Sequence, residues 1–432
     1  VRGARRRRVV LATRIFAPEA AAATFRLGAL VRALAGHAEV RVLTTMAPPH
    51  LRGPQTQDDG PVRVSRWPVL RDATGYVRGY LPYLSFDLPL ALRLLTGPRP
   101  DVVVVEPPPT TGAVTRTALA LRALPGRLAG HPRIPYVYYA ADVWSDATAS
   151  MGAPAIVVAA MRAVESYALR GARDVIAVSD GVADRVRSLL GGTTRVGVSV
   201  VPNGIDTDVF TSDGERHPQA PETPYLVYAG TASEWQGAEV FAEAMREVVA
   251  AEPTARLVFL GQGSSWPLLQ RLRAELPDGA IELRPLVPPA EAAAWLRGAA
   301  VALVSVRPGV GYDFAYPTKV IAALATGAPV VFAGPGPAAA DVRAYGLGDA
   351  VDHDVPAVAA AMLAAVRSAA PGAGRWSLRE RERRVAWVRQ HRSLSATGEA
   401  AAAVVLDAAA EPGSPLPKLP EVVHRPRPLA HG

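Results

Sequence analysis

Short, near-continuous apolar runs alternate with longer amphipathic stretches along this chain, and that alternation constrains the fold more than any other feature. A strand covered by helices on both faces of a parallel sheet has no polar side, so it reads as an unbroken apolar run. Residues 101–105 (DVVVV) and 136–140 (YVYYA) have that character. A first set of runs falls at residues 8–15, 39–44, 62–66, 101–105, 136–140, 174–178 and 198–201. A second falls at 225–228, 256–260, 281–283, 300–304 and 330–332. At 432 residues the chain is long enough for two cores. The pattern predicts an α/β protein of two doubly wound, Rossmann-like parallel-sheet domains. The N-terminal domain takes residues 1–201 and a linker, opening on the turn Pro202, Asn203, Gly204, takes 202–224. The C-terminal domain takes 225–410, with terminal helices over 378–391 and 399–410, and a proline-rich tail at 411–432 is expected to be disordered.

Composition excludes several chemistries. Without cysteine there is no disulfide framework, thiol nucleophile or thiolate metal site. The 8 histidines show no ligand spacing, and no zinc-protease, serine-hydrolase or P-loop motif is present. No metal and no cofactor are therefore expected. A net charge of +8 suits nucleic acid, anionic lipid or phosphorylated substrates. The arginines are spread along the chain without a nucleic-acid recognition motif, so nucleic acid is not an expected partner. The basic run at Arg5 to Arg8 precedes only five uncharged residues before Arg14, too few for an export core, and is read as a tail feeding the first strand. The longest uncharged stretch, 320–340, is broken by glycines and prolines and is not a membrane span. The basic run could be a solvated tail or touch anionic lipid. The aromatic and apolar stretch 75–95 could be a core helix or lie against a membrane.

Of 47 basic residues only Lys319 and Lys418 are lysines. Lys319 sits in the turn Tyr316, Pro317, Thr318, Lys319, ahead of an apolar helix and a buried strand. Pro317 fits the start of a helix, where free N–H groups and the dipole attract anions. Thr318 and Lys319 would face a phosphate there, or Lys319 merely caps a surface helix. Two more loops follow strands in the same half: Gly230 and Thr231 leading through Gln236 and Gly237, and Gly261, Gln262, Gly263. Glycine lets a backbone approach a ligand closely, although each loop alone is an ordinary turn. Together the three point to a nucleotide-diphosphate site at the carboxyl edge of the second sheet. In the first half the strand 136–140 delivers Asp142 and Trp144 to the equivalent edge. Asp142 is placed where the domains face each other, to orient or deprotonate a hydroxyl, with a helix N-cap as the structural alternative. The first strand–helix turn, with Glu19 and Arg26, lacks the GxGxxG pattern of nicotinamide enzymes.

These pieces, in this order, resemble the GT-B glycosyltransferases of family 4, over about residues 9–389. The closer likeness is to the bacterial branch that builds surface polysaccharides, including fucosaminyltransferase-like enzymes. The carrying motifs are FAPE at 16–19 with Arg26, LSFDL at 84–88, RPDVVVVEPPP at 99–109, ADVW at 141–144 with Gly152, and AVSDGV at 177–182. They continue with VPNGID at 201–206, YAGT at 228–231, LGQG at 260–263 and YPTK at 316–319 followed by ATGAPVV. The resemblance implies two Rossmann-like domains facing a central cleft and transfer with retention of configuration, without a metal. A nucleotide-sugar donor would lie against Gly230, Thr231, Gln236, Gly237, Gly261, Gln262, Gly263, Tyr316, Pro317, Thr318 and Lys319. A glycan, lipid-linked or small-molecule acceptor would lie against Glu19, Arg26 and Trp144, with Asp142 near the reacting hydroxyl. It also implies a cytoplasmic protein, with the inner face of the cell membrane as an alternative site, in envelope or exopolysaccharide synthesis. Decoration of a secondary metabolite and a non-catalytic sugar-nucleotide-binding role are the alternatives.

The chain departs from that family in the donor region. Phe314 and Ala322 stand where many members carry glutamates, and Trp235 stands where many place a cation against the diphosphate. Asp313, Arg307 and Tyr312 are the residues near enough in sequence to compensate.

Overall fold

A computed structural model of the chain describes residues 5–19, 22–51, 60–71, 77, 80–128, 133–150, 152–192, 195–369 and 378–410. All but Gly60 of the exposed loop that the sequence suggests at 55–60, part of the stretch 75–95 and the tail from 411 lie outside the described residues. The chain divides into two compact units, one of residues up to Asn203 together with those from Leu394 onward, the other Gly204–Ser393.

The first unit contains β1 (Arg7–Ala12), α1 (Ala22–Ala35), β2 (Ala38–Thr45), β3 (Val62–Trp67), α2 (Tyr80–Thr96), β4 (Val102–Val105) and α3 (Pro109–Leu128). It continues with β5 (Tyr136–Ala140), α4 (Trp144–Ser150), α5 (Ala155–Arg170), β6 (Asp174–Ala177), α6 (Asp180–Leu190) and β7 (Gly197–Val200). The strands form one parallel sheet in the order β3-β2-β1-β4-β5-β6-β7. The four valines of β4 show why the strands read as unbroken apolar runs. Val103 and Val105 enter the core on one face with Phe86 and Leu90 of α2, while Val102 and Val104 enter the core on the other with Leu27 and Leu30 of α1. β1 stops at Ala12, short of the expected residue 15, and the chain after it turns to place Thr13 and Arg14 at the carboxyl edge.

The second unit contains β8 (Tyr225–Ala229), α7 (Glu239–Ala251), β9 (Arg256–Leu260), α8 (Trp266–Ala274), β10 (Ile281–Arg284), α9 (Pro289–Gly298) and β11 (Val301–Ser305). Then come α10 (Thr318–Ala325), β12 (Val330–Ala333), α11 (Pro337–Tyr345), β13 (Gly348–Val351), α12 (Val355–Ser368) and α13 (Leu378–His391). Its parallel sheet runs β10-β9-β8-β11-β12-β13. In both sheets the order in which the chain adds strands therefore reverses at one point, between β1 and β4 in the first and between β8 and β11 in the second. The crevice outside the carboxyl ends of the strands at such a point is where open α/β sheets bind ligands.

Two expected boundaries are corrected. The last helix, α14 (Leu394–Ala408), belongs to the first unit and not to the C-terminal domain. A Cβ on Gly398 would stand 2.6 Å from the backbone oxygen of Ala29, so this alanine-rich helix lies tight against α1, burying Ala400, Ala401 and Val404. The stretch expected as a linker is, from Gly204 onward, part of the second unit. Ile205 donates its N–H to Arg392 O at 2.7 Å, and His217 stacks on Trp295 with ring centroids 4.5 Å apart.

Candidate functional site

At the carboxyl edge of the second sheet, the loop after β8 and the loop after β9 are pressed together. Gly230 N–H donates to Leu260 O at 2.7 Å, and Ala232 N–H to Gln262 O at 2.8 Å. A Cβ on Gly261 would stand 2.0 Å from Gly230 O, and one on Gly263 2.1 Å from Ala232 O. These two glycines are therefore required by the neighbouring backbone itself, whether or not a ligand approaches. Gly230 adopts φ +123°, a conformation only glycine takes without strain. A Cβ there would lie 2.9 Å from Lys319 Cε, so Gly230 also makes room for that side chain.

Lys319 enters on the first turn of α10, which begins after Pro317 with no side-chain cap and no acidic residue in its first turn. Its Nζ lies 5.2 Å from the centre of the buried Tyr228 ring. Among the described residues it has no carboxylate partner. Desolvation pushes its ammonium down to about 8. A half-buried cation with no counter-ion among the described residues, at an uncapped helix start, at the sheet's switch point, has the electrostatic character that attracts an anion. Thr318 is exposed beside it and Pro317 is buried.

Several other residues expected at this site have partners within the fold. Gln236 is buried with Oε1 turned inward, accepting from Ser233 N–H and Ser233 Oγ, each at 3.1 Å, so it braces the loop. Gly237 O lies 3.0 Å from His353 Nε2. Tyr316 turns away from Lys319, its hydroxyl donating to Asp341 Oδ2 at 3.0 Å with the Arg392 guanidinium 4.5 Å over its ring. Thr231 and Gln262 are exposed, and their backbone carbonyls accept from Tyr228 Oη and Ala232 N–H. Arg307 is paired with Glu239 at the start of α7, and Asp313 Oδ1 accepts from Gly309 N–H at 3.1 Å. In place of the hydrogen-bonding and charged side chains that the resemblance implies near Phe314 and Trp235, the structure has an aromatic stack. Trp235 lies 4.9 Å from Tyr312, and Tyr312 6.5 Å from Phe314. Ala322, on α10 itself, is packed into the core of the second unit.

The first sheet's carboxyl edge is separately organised. At its switch point, Glu106 after β4 accepts from Arg26 Nη2 and from Thr13 Oγ1, both at 2.7 Å, and all three are buried. Arg26 also lies 5.1 Å over the Tyr139 ring and donates to Asn203 Oδ1 at 3.3 Å. Glu19 is held by Arg71 through two hydrogen bonds of 3.1 Å. Two of the three residues expected against an acceptor, Glu19 and Arg26, thus have charged partners within the fold of this edge. Trp144 is half-buried, edge-on to Tyr83 at 6.2 Å. Asp142 is exposed and makes no hydrogen bond or ion pair among the described residues. It is not the cap of α4: the N–H groups of Trp144 and Ser145 donate to Glu165 Oε1 and Oε2 at 2.8 and 3.0 Å.

Sequence reasoning missed three residues here. Glu165, on α5, caps a helix that starts 21 positions earlier. Glu106 was read only as part of a motif. Arg14, assigned to a strand, is buried with its guanidinium 4.0 Å from the Tyr83 ring, and burial lowers its pKa. A charged residue immediately after a buried strand is the signal that could have found Arg14 and Glu106; nothing local marks Glu165.

Residues 21–204 match the glycosyl transferase 4-like domain family, and residues 223–368 match the glycosyl transferases group 1 family. No curated protein matches the sequence. Among solved structures, HepE of Anabaena in complex with UDP is 15% identical at a TM-score of 0.63, covering 93% of this chain and 100% of its own. Sucrose-phosphate synthase of Thermosynechococcus elongatus is 17% identical at a TM-score of 0.62, covering 91% and 96%. WaaG, a glycosyltransferase involved in lipopolysaccharide biosynthesis, is 14% identical at 0.61, covering 92% and 99%. These likenesses extend over both units and share their two-sheet architecture. With the two family matches spanning most of the sequence, the chain belongs to the GT-B glycosyltransferases that join a glycosyl transferase 4-like domain to a group 1 domain.

Proposed function

We propose that this protein is a retaining glycosyltransferase that moves a sugar from a nucleotide-diphosphate sugar to a hydroxyl acceptor. The observation that carries the reading is Lys319, a desolvated ammonium with no counter-ion among the described residues, beside the Gly230 backbone at the start of α10. A diphosphate supplies the missing charge, and the same groups stabilise the diphosphate leaving group as the glycosidic bond breaks, without a metal. UDP and UDP-glucose in the HepE complexes support a nucleotide-sugar donor here. Asp142, free of the capping role, orients or deprotonates the acceptor hydroxyl. The product would enter cell-envelope or exopolysaccharide synthesis, with a secondary metabolite as the other acceptor class.

A second reading rests on the aromatic stack. Phe314 and Ala322 offer no side-chain acceptor to donor hydroxyls, which favours a sugar-nucleotide-binding protein with little turnover. Calorimetry against UDP, GDP, ADP and TDP and their sugars, followed by detection of released nucleoside diphosphate, tests both. Binding with nucleotide release in the presence of an acceptor supports the transferase, binding without release supports the second reading, and no binding at millimolar ligand refutes both.

A further inference from the structure

The stack of Trp235, Tyr312 and Phe314 is open to solvent. Trp235 anchors it, partly buried against the core of the second unit. Tyr312 lies over Trp235 with the ring planes 22° apart, and Phe314 follows Tyr312 at 24°. Tyr312 is 38% and Phe314 45% exposed. The turn that carries them has room around it, since a Cβ on Gly309 or Gly311 would meet nothing within 4 Å. Stacked rings left in water beside a binding site are a surface for a ligand to cover, and their faces suit its C–H groups.

The stack has a fixed relation to Lys319. β8 lies between β9 and β11 in the sheet. The loop after β8 starts on the β9 side, where Gly230 N–H donates to Leu260 O, and reaches the β11 side, where Trp235 O accepts from Arg307 N–H at 2.9 Å. Lys319 meets that loop at Gly230, and Tyr312 and Phe314 precede Lys319 on the connection from β11 to α10. A diphosphate on Lys319 would therefore have the glycine loop after β9 on one side and the stack on the other. Such a diphosphate carries two groups, a nucleoside and a glycosyl. A base is read by hydrogen bonds at its edge, and the charged side chains nearest the stack are already taken. Arg307 is paired with Glu239, and Asp313 Oδ1 accepts from Gly309 N–H at 3.1 Å. The glycosyl is left for the stack, and the same shortage sets its chemistry. A sugar hydroxyl pressed on Phe314 loses water and gains no side-chain partner, whereas a C–H or methyl group loses nothing.

We propose that the donor carries a deoxy sugar, whose hydroxyl-free face is held on Tyr312 and Phe314. The proposal rests on the donor reading of Lys319 and adds the class of sugar to it. An apolar surface rejects one added hydroxyl by no more than about a hundredfold, so the expected preference for the deoxy sugar is roughly tenfold to a hundredfold.

The test is calorimetry of the full chain with the tightest binder among UDP, GDP, ADP and TDP, with its glucose conjugate, and with the 3-, 4- and 6-deoxyglucose conjugates of the same diphosphate. The bare diphosphate reports on Lys319, and the differences among the conjugates report on the stack. At least one deoxy conjugate should bind about tenfold or more tighter than the glucose conjugate. Tyr312→Ala should abolish that preference and leave the bare diphosphate within about twofold of the wild type. Phe314→Gln, which offers an amide to a hydroxyl, should shrink the preference by strengthening the glucose conjugate. A glucose conjugate that binds as tightly as every deoxy conjugate overturns the proposal, while binding of the bare diphosphate leaves the donor reading standing. Equal losses of bare diphosphate and conjugates in Tyr312→Ala assign the stack to the base and equally overturn it. No binding of any diphosphate refutes the donor reading and the proposal with it. If Tyr312→Ala fails to fold, Phe314→Gln decides alone.

Discussion

Replacing Lys319 with methionine should make the protein more stable and less able to bind a nucleoside diphosphate, two effects that a surface lysine would not couple. The ammonium falls from its ordinary 10.5 to about 8 on folding because burial removes water without supplying a counter-ion. That fall corresponds to about 3 kcal/mol of destabilisation wherever the lysine is charged in both states. The figure is an upper bound, because Lys319 is half-buried and solvent screens part of the effect. Methionine keeps most of the stem's contact with Tyr228 and carries no charge. The variant should melt higher than the wild type at pH 7 by up to roughly 5–10 °C. It should also lose a charge-assisted contact to the diphosphate, about 1.5–3 kcal/mol, or roughly tenfold to more than a hundredfold in affinity.

The pH dependence follows from the same numbers. Between about pH 8 and 10.5 the unfolded lysine still holds its proton while the folded one has released it. The unfolded state then binds more protons, so wild-type stability rises with pH across that window. Below about 8 both states are charged and the penalty is complete. Methionine has no such slope, so the difference in melting temperature should shrink as pH rises above 8. Diphosphate affinity should move oppositely, weakening in the wild type above pH 8, with proton uptake on binding seen by calorimetry in buffers of different ionisation enthalpy. A K319M protein that melts at or below the wild type at pH 7, or that binds UDP and GDP within twofold of it, refutes the reasoning.

Glu106→Gln leaves Arg26 buried without its counter-charge and should cost about 3–5 kcal/mol, read as a lower urea midpoint. Gly261→Ala forces the backbone of the β8 loop away from a contact of 2.0 Å, so nucleotide affinity should fall severalfold, whereas Gly36→Ala, whose nearest atom would be 3.7 Å away, should change neither affinity nor melting temperature. Asp142→Asn should keep the melting temperature and donor affinity and lower transfer by at least about tenfold; loss of folding would mean that its carboxylate is structural after all.

How much could be read from the chain depends on whether the information is local. Buried parallel strands announce themselves because both faces are covered, and β4, with four valines, could hardly be anything else. β13, Gly348–Val351, was invisible for the converse reason: it is an edge strand, half-buried along its length, and Gly and Asp open it. The last helix cannot be assigned to its unit from sequence because the contacts that dock it, such as Gly398 on Ala29 and the Arg7 guanidinium on Leu406 O, join residues far apart in the chain.

The same limit explains the mixed outcome at the candidate site, and gives a way to separate binding groups from structural ones. Residues chosen by type and position include many whose polar atoms are satisfied by partners the sequence cannot show. Arg26 meets Glu106 across 80 positions, Glu19 meets Arg71 across 52, and Tyr316 meets Asp341 across 25. Gln236 is satisfied within its own loop. Lys319 and Asp142 differ from all of these, since among the described residues neither finds a charged partner. For Asp142, water suffices. For Lys319, held half-buried against Tyr228, burial leaves a desolvation cost that a bound diphosphate would offset, which is what the K319M comparison tests.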